Sequence, residues 1–348
     1  MVLPMIAYTT GNLLEADTEA LVNTVNTVGV MGRGIALQFQ RAFPANYAAY
    51  KKACDANEVM PGRMFMFEER ALGGPRWIAN FPTKRHWKGK SRLEDIRAGL
   101  ADLIAQIKAH GIKSVAIPPL GCGLGGLDWL EVRPLIENAF ADVPDVKVLL
   151  FEPAGAPEAA AMPNKTPRPE MTPGRAAVIG LLGRYAELGY RLALLEVQKL
   201  SYFLQAVGEP LKLSFRAHHY GPYADQLRHV LNKLEGHYTT GYGDGQDKPD
   251  TPIRLLPDAL PEAEAFLTQQ PATQERFERV LRLIEGFETP HGLELLSTVH
   301  WLAASGAHSA GEVMRGLRDW SERKFQSFTE PQITIALERL RAGGLLAA

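Results

Sequence analysis

The chain has 348 residues, of which 46% are hydrophobic and 22% charged, and its formal net charge is -1 at pH 7. This length favours two globular domains, and the near-neutral charge excludes a whole-protein attraction to nucleic acid, so any such contact must come from a local patch. The two cysteines, Cys54 and Cys122, exclude a disulfide framework and a four-ligand zinc site. Since there is neither a targeting signal nor a run of 18 apolar residues, we expect a cytoplasmic protein with no membrane span.

The first part of the chain alternates apolar runs with amphipathic stretches, which is typical of a mostly parallel sheet covered by helices. The predicted strands are Ile6–Thr9, Ala20–Val25, Arg63–Phe67, Trp77–Phe81, Ser114–Pro118 and Val146–Phe151. The predicted helices are Gly34–Phe43, Tyr47–Ala56, Ser91–His110 and Asp128–Ala141. Ser91 and Asp128 are each followed three residues later by a glutamate, the capping-box pattern, and are predicted to cap their helices. An α/β domain over residues 1–152 follows.

Six prolines lie between Pro153 and Pro173, so residues 153–174 are predicted to form a linker without a helix. Beyond it, helical periodicity predicts a mainly α domain over residues 175–348. The helical segments are 176–189, 192–208, 222–236, 274–287 and 332–344. A stretch rich in Gly, Tyr and Asp, residues 236–250, is predicted to be an exposed loop.

Two glycine-rich loops each follow an apolar strand, the first within NTVNTVGVMGRGIALQF and the second within IPPLGCGLGGLDW. Glycines let the backbone approach a ligand and point amides at phosphate oxygens, and both loops follow the carboxyl ends of strands, where open α/β sheets bind ligands. Either loop alone is also compatible with a plain tight turn, but together they favour a diphosphate-bearing ligand. The dinucleotide fingerprint and the P-loop pattern are both missing, which disfavours those two nucleotide folds.

A third segment, WIANFPTKRHWKGKSRLEDI, carries a basic and aromatic run after its strand. Such a run suits a single-stranded nucleic-acid groove, although most charge runs are solvated loops. Lys84 differs from the other cations because it lies three residues past the predicted strand end, at the edge where the glycine loops gather. The pattern is compatible with a phosphate contact and equally with a nucleophilic amine whose pKa is lowered by burial or neighbouring cations.

In order and spacing these segments resemble a macrodomain, and the combination of GVMGRGIA, NFPTKRHW and PLGCGLGGLDW resembles the DarG family of antitoxins over residues 5–153. The resemblance implies an ADP-ribose-binding domain that removes ADP-ribose from thymidine in single-stranded DNA. It also implies a DarT-like ADP-ribosyltransferase toxin as partner. We expect no metal and no cofactor.

Carried over position by position, the resemblance assigns residues to each part of the ligand. Those implied for the adenosine half are Asn12 and Leu13. Those implied for the distal ribose are Thr24, Val25, Asn26, Gly34, Ile35, Ala36, Leu37 and Gln38. Those implied for the diphosphate are Gly121, Cys122, Gly123, Leu124 and Gly125. Thr83 and Lys84 match the catalytic segment, with Lys84 as the catalytic residue. The candidates for DNA contact are Arg85, His86, Trp87 and Lys88.

Two positions depart from related families. Many macrodomains carry an aspartate where this chain has Asn12, so adenine recognition must differ or rely on backbone groups. A related human ADP-ribose glycohydrolase pairs its lysine with an aspartate at the position of Gly125, and that partner is missing here. Since no carboxylate pair is present in the motifs, we expect Lys84 either to attack the ribose carbon or to stabilise the departing base.

The remaining motifs leave more alternatives open. In the second domain, QKLSYFLQ and HHYGPYADQL resemble the Panacea-type domain of antitoxins, which implies toxin binding; a dimerisation domain or a winged-helix DNA-binding domain remains an alternative. For the whole protein, the alternatives are a non-catalytic ADP-ribose reader, a glycohydrolase acting on modified protein, and an autoregulatory DNA binder. We interpret His110, His229 and His300 as structural, and Cys122 as a small residue that permits close backbone approach.

Overall fold

The computed structural model describes residues 5–70, 73–245 and 249–347. It divides into two compact units, the first formed by Met1–Pro167 with Gly243–Gln246 and the second by Arg168–Tyr242 with Asp247–Ala348. The main division therefore falls inside the segment predicted as a linker. None of the helices in the described ranges is both long enough and apolar enough to cross a bilayer.

The first unit is built on a six-stranded sheet. Its strands are β1 (Ile6–Thr9), β2 (Ala20–Asn26), β3 (Phe65–Glu68), β4 (Trp77–Lys84), β5 (Ser114–Ile117) and β6 (Lys147–Phe151). Their order is β1-β6-β5-β2-β4-β3, and β3 pairs antiparallel with β4 while the other pairs are parallel. The helices of this unit are α1 (Gly34–Ala42), α2 (Pro44–Asp55), α3 (Leu93–His110) and α4 (Trp129–Phe140).

Alternate residues of the central strand β2 pack on opposite faces of the sheet. Leu21 packs with Phe39 of α1 in one buried cluster, whereas Val22 packs with Ile96 of α3 and Ile136 of α4 in another. Because successive side chains of a strand point to opposite faces, this pattern requires helices on both sides of the sheet. The predicted α/β class is confirmed.

Three local predictions in this unit are wrong. Helix α2 begins at Pro44, three residues before the predicted start, because proline suits the first helical position. Strand β4 runs three residues further than predicted and ends at Lys84, because β2 continues to pair with it beyond an irregularity at Asn26. Helix α3 begins at Leu93 without a side-chain cap, and Ser91 donates its backbone N–H to the Gly125 carbonyl instead. The prediction for Asp128 is confirmed, since its carboxylate accepts the Leu130 N–H at 2.9 Å at the start of α4.

The second unit is mainly helical, as predicted. Its helices are α5 (Pro173–Glu187), α6 (Leu194–Ala206), α7 (Leu227–Leu234), α8 (Ala259–Leu267), α9 (Pro271–Ile284), α10 (Pro290–Ala304), α11 (Ala310–Trp320), α12 (Glu322–Ser327) and α13 (Glu330–Ala342). Two small antiparallel pairs join them: β7 (Arg216–His218) with β8 (Gly221–Tyr223), and β9 (Thr239–Thr240) with β10 (Arg254–Leu255).

The structure also corrects two predictions made for the region around this unit. Helix α5 begins at Pro173, inside the predicted linker, because proline suits the first helical position and Thr172 accepts the Arg175 N–H. Most of the predicted exposed loop 236–250 is not exposed, since Tyr238 and Tyr242 are buried aromatic side chains of the core. Residues 246–248 of that loop lie outside the described residues.

A buried ion cluster stabilises the second unit. Glu294 accepts hydrogen bonds from Lys324 at 2.5 Å and from Arg323 at 2.9 Å, and Lys324 is 0% exposed. Arg323 also donates to the His219 carbonyl, and buried Lys199 donates to the Pro222 carbonyl, so cations from two helices hold the β7–β8 hairpin. The Glu294 carboxylate compensates the fully buried ammonium of Lys324 and also pairs with Arg323, whose side chain is 37% exposed.

Replacing Glu294 with Gln should therefore lower the free energy of unfolding by about 3–5 kcal/mol, because it leaves buried positive charge without a counter-ion. Urea unfolding of the full chain, followed by circular dichroism, measures this. The matched control is Glu278→Gln, which breaks an exposed ion pair with Arg282 and should cost less than about 1 kcal/mol. Equal losses in the two variants would contradict the structural role of the cluster.

Candidate functional site

Three strand ends meet at one edge of the sheet. Strand β2 lies between β4 and β5 and runs parallel to both, so their carboxyl ends open on the same side. The first glycine loop, residues 27–34, follows β2, and the second glycine loop, residues 120–126, follows β5. Lys84 ends β4 beside them. The two loops approach closely, because a Cβ built on Gly34 would lie 3.9 Å from the Leu124 side chain.

The first glycine loop is held by the last residue of β2. Asn26 is buried, and its side-chain oxygen accepts the N–H groups of Val28 and Val30 at 3.0 and 3.3 Å while its amide donates to the Val30 carbonyl. The Tyr50 hydroxyl donates to the Asn26 backbone carbonyl. The side chain assigned by resemblance to the distal ribose is thus engaged in shaping the loop that faces it.

The other residues assigned to the distal ribose surround that loop. Thr24 and Val25 lie at the end of β2, and Gly34 opens α1 with a positive φ of 62°. The Gly34 N–H donates to the carbonyl of Asp244, which belongs to the same unit. The next four residues of α1 were assigned to the same ribose. Two are half-buried, Ile35 and Ala36, and two are buried, Leu37 and Gln38.

Asn12 and Leu13 lie after β1, at the same edge of the sheet. Asn12 caps a 3-10 turn at Leu13–Glu15, accepting the Leu14 N–H at 3.1 Å and donating to Glu15 and to the Ala161 carbonyl. This amide is therefore occupied within the turn. Leu13 is buried beneath it.

The second glycine loop folds tightly against Ser91. Gly121 and Gly126 have φ values of 73° and 76°, a region that L side chains rarely adopt. A Cβ on Gly125 would collide with the Gly121 carbonyl oxygen and with the Ser91 hydroxyl. No side chain fits at Gly125 in this conformation, so an aspartate at this position would require the loop to move.

Cys122 and Leu124 lie in the middle of this loop, where Cys122 is half-buried against the core and Leu124 is exposed. Burial raises the pKa of the Cys122 thiol to about 11, so the sulfur stays protonated at neutral pH and is a poor nucleophile. The raised pKa therefore argues against a nucleophilic role, and the interpretation of Cys122 as a small residue that permits close backbone approach stays a prediction. The Leu124 side chain is 60% exposed, and Gly123 leaves open space next to it.

Lys84 reaches from β4 to the second glycine loop. Its Nζ donates to the Leu124 carbonyl at 2.6 Å, and Thr83 before it is buried with its hydroxyl 3.4 Å from the Val25 carbonyl. Burial, and after it the positive charge of Lys90, lower the pKa of Lys84 from its ordinary value. The amine is therefore neutral more often than that of a solvated lysine.

The residues of the basic segment after β4 make different contacts. Arg85 forms an ion pair with buried Asp95 at 3.1 Å, so its guanidinium fastens the segment to α3. Trp87 is 50% exposed, stacks on His86 with ring centroids 5.5 Å apart, and has the Lys88 ammonium 4.9 Å above its ring. The sequence prediction treated these residues alike. It assigned no role to Lys90 and only a helix-capping role to Ser91, and the positions of both depend on contacts distant in sequence.

Comparison with known proteins gives the same family for both halves of the chain. Residues 22–136 match the Macro domain family. The chain is 48% identical to a DNA ADP-ribosyl glycohydrolase of Thermus aquaticus over 98% of this chain and 94% of that protein. It is 42% identical to a DNA ADP-ribosyl glycohydrolase of Mycobacterium tuberculosis over 97% of this chain and 99% of that protein.

A third relative covers a smaller part. It is a DNA ADP-ribosyl transferase-DNA ADP-ribosyl glycohydrolase fusion protein of Thermosipho africanus, 37% identical over 36% of this chain and 36% of that protein. The near full-length matches include the second unit, which the Macro domain family does not cover. The chain therefore belongs to the DNA ADP-ribosyl glycohydrolase family, DarG.

Proposed function

We propose that this protein hydrolyses the N-glycosidic bond between ADP-ribose and thymidine in single-stranded DNA and so reverses the action of a DarT-like toxin. The observation that carries this proposal is the meeting of Lys84 with two glycine loops at one sheet edge. The names of the near full-length relatives support the same activity.

The ligand would lie along that edge. The diphosphate would follow the second glycine loop, where Gly123 is exposed and a Cβ built on it would meet nothing within 4 Å, so that a ligand can approach the backbone closely. The distal ribose would lie under the first glycine loop near Asn26 and α1, and the adenosine half near Leu13. This arrangement brings the glycosidic carbon to the part of the site that contains Lys84.

Two roles for Lys84 are chemically consistent. In the first, the neutral amine attacks the ribose carbon, a C–N bond forms, and the thymine leaves with the electron pair of the broken bond; water then cleaves the ribosyl–lysine bond. In the second, the ammonium stabilises the negative charge on the departing base while water attacks the carbon. The lowered pKa of Lys84 favours the first role, because it increases the fraction of neutral amine at a given pH.

Replacing Lys84 with Ala should reduce release of ADP-ribose from a modified single-stranded oligonucleotide by at least about 100-fold, because either role is lost. Binding of free ADP-ribose, measured by calorimetry, should persist. Unchanged turnover would contradict the assignment and favour a non-catalytic reader. The pH dependence distinguishes the roles: a rate that rises with pH through the lowered pKa of Lys84 indicates attack, and a rate that falls indicates the cation.

Trp87 is proposed to bind a base of the DNA strand next to the modified nucleotide. Its ring is half exposed and lies beside His86 and the Lys88 ammonium, so an aromatic surface and a positive charge are adjacent there. Stacking on an aromatic ring and attraction of the phosphate backbone to a cation are the two terms that bind single strands without sequence preference.

Trp87→Ala should raise KM for the modified oligonucleotide about tenfold, in line with ~1–3 kcal/mol for one stacked base. The affinity for free ADP-ribose should not change, because the tryptophan contacts only the DNA part of the substrate. Trp87→Phe is the matched variant and should restore most of the loss. A parallel loss of ADP-ribose affinity would show instead that the ring supports the fold of the site.

The second unit is proposed to bind the toxin itself. The fusion relative carries a transferase and a glycohydrolase in one polypeptide, which supports a physical association of the two activities. The β7–β8 hairpin falls in the HHYGPYADQL motif that resembles antitoxin domains, and Arg323 and Lys199 hold it in place. A direct complex would inhibit the toxin independently of DNA repair.

The full-length Lys84→Ala variant should therefore still form a complex with a DarT-like toxin and lower its transferase activity. Size-exclusion chromatography of the mixture and a transferase assay measure the two effects. Excess ADP-ribose serves as the control and should not release the toxin, since the proposed surface is separate from the sugar site. Absence of a complex, together with salt-dependent DNA binding of the chain, would favour the DNA-binding alternative.

A further inference from the structure

Lys90 lies directly against the second glycine loop. The Ser91 N–H donates to the Gly125 carbonyl at 3.1 Å, which fixes the backbone next to Lys90 beside that loop. A Cβ built on Gly126 would lie 3.0 Å from Lys90 Nζ and 3.5 Å from its Cδ. The ammonium is thus at the loop where the diphosphate is proposed to bind.

The charge of Lys90 is not compensated by the protein. Its neighbours in the segment are engaged, since Arg85 pairs with Asp95 and Lys88 stacks over Trp87. Lys90 is exposed and, across residues 5–70, 73–245 and 249–347, makes no ion pair or hydrogen bond through its side chain. An exposed ammonium that lies beside the second glycine loop without an ion pair is suited to bind an oxyanion.

Lys84 and Lys90 also interact electrostatically. Lys84 donates to the Leu124 carbonyl and Lys90 reaches Gly126, so they approach the same loop at positions two residues apart. After burial, the positive charge of Lys90 is the cause that lowers the pKa of Lys84. The two ammonium groups are therefore within electrostatic reach, and an anion bound at Lys90 would lie next to the proposed reaction centre.

We propose that Lys90 is a substrate-binding residue whose ammonium holds a phosphate oxygen against the second glycine loop. This rests on the proposed function, because that function supplies a phosphate-bearing substrate. The phosphate has two possible sources with the same chemistry: the diphosphate of ADP-ribose, or the DNA phosphate beside the modified thymidine.

The experiment compares the full-length wild type with Lys90→Met, Lys90→Arg and the control Lys108→Met. Lys108 is an exposed lysine in the last turn of α3, close in sequence to the start of β5 and so near the opposite edge of the sheet. Calorimetry measures the affinity of each variant for free ADP-ribose and so tests whether Lys90 binds the diphosphate. Steady-state kinetics tests whether Lys90 binds the DNA phosphate. It compares KM for a modified oligonucleotide with KM for ADP-ribosylated thymidine that lacks DNA phosphates, each at several salt concentrations.

If Lys90 binds the diphosphate, Lys90→Met should weaken ADP-ribose binding about tenfold and raise KM for both substrates, as expected for one lost charge-assisted hydrogen bond. If it binds the DNA phosphate, only KM for the oligonucleotide should rise, with a weaker salt dependence. Lys90→Arg should recover most of either loss, because it keeps the positive charge.

Lys90→Met that matches Lys108→Met in ADP-ribose affinity and in both KM values would overturn the proposal. A wild type that binds ADP-ribose but cleaves neither substrate would instead refute the proposed function. In that case the calorimetric comparison still decides whether Lys90 binds the diphosphate. The two failures are therefore distinguishable.

Discussion

A single backbone hydrogen bond, from Ser91 to the Gly125 carbonyl, determines the geometry of the candidate site. It draws the segment after β4 onto the loop after β5, although 34 positions separate the two residues in sequence. With this contact in place, Lys84 reaches the Leu124 carbonyl and Lys90 reaches Gly126. The contact also places the Ser91 hydroxyl against Gly121 and Gly125, where it is buried without a hydrogen-bond partner in the described ranges.

The same packing explains the electrostatics of Lys84. A carboxylate at position 125 would raise the pKa of a neighbouring lysine, because an opposite charge favours the ammonium form. The Gly121 carbonyl and the Ser91 hydroxyl leave no room for that side chain, so the partner of Lys84 is a neutral carbonyl. Burial and Lys90 then lower the pKa of Lys84. The close packing of Ser91 against the second glycine loop therefore bears both on the lack of a carboxylate at position 125 and on the lowered pKa of Lys84.

The sequence predicted the parts of the fold that depend on local pattern. Apolar runs located the strands of the sheet to within a few residues, and the glycine loops and Lys84 were correctly expected at one sheet edge. The capping-box pattern failed at Ser91 because α3 begins at Leu93, which places Arg92 and not Ser91 at the cap position, and because the Ser91 N–H donates to the Gly125 carbonyl; Asp128, directly before α4, caps its helix. The prediction of an exposed loop at residues 236–250 was wrong because Tyr238 and Tyr242 are buried in the core, which the polar composition of the segment did not indicate.

The basic segment after β4 shows a second limit of prediction from sequence. Within six residues of the sequence, Arg85 pairs with a buried carboxylate, Lys88 lies over the ring of Trp87, and the Lys90 side chain makes no ion pair or hydrogen bond in the described ranges. Composition cannot separate Arg85 from Lys90, because the difference between them depends on other elements: Asp95 of α3 pairs with Arg85, whereas Lys90 lies beside the second glycine loop. Arg85 is paired with Asp95, and Lys90 is the charged group that, after burial, lowers the pKa of Lys84. A diphosphate bound at the second glycine loop would therefore meet the ammonium of Lys90, which makes no ion pair in the described ranges, and a plain connecting loop would have no physical reason to keep such a cation beside it.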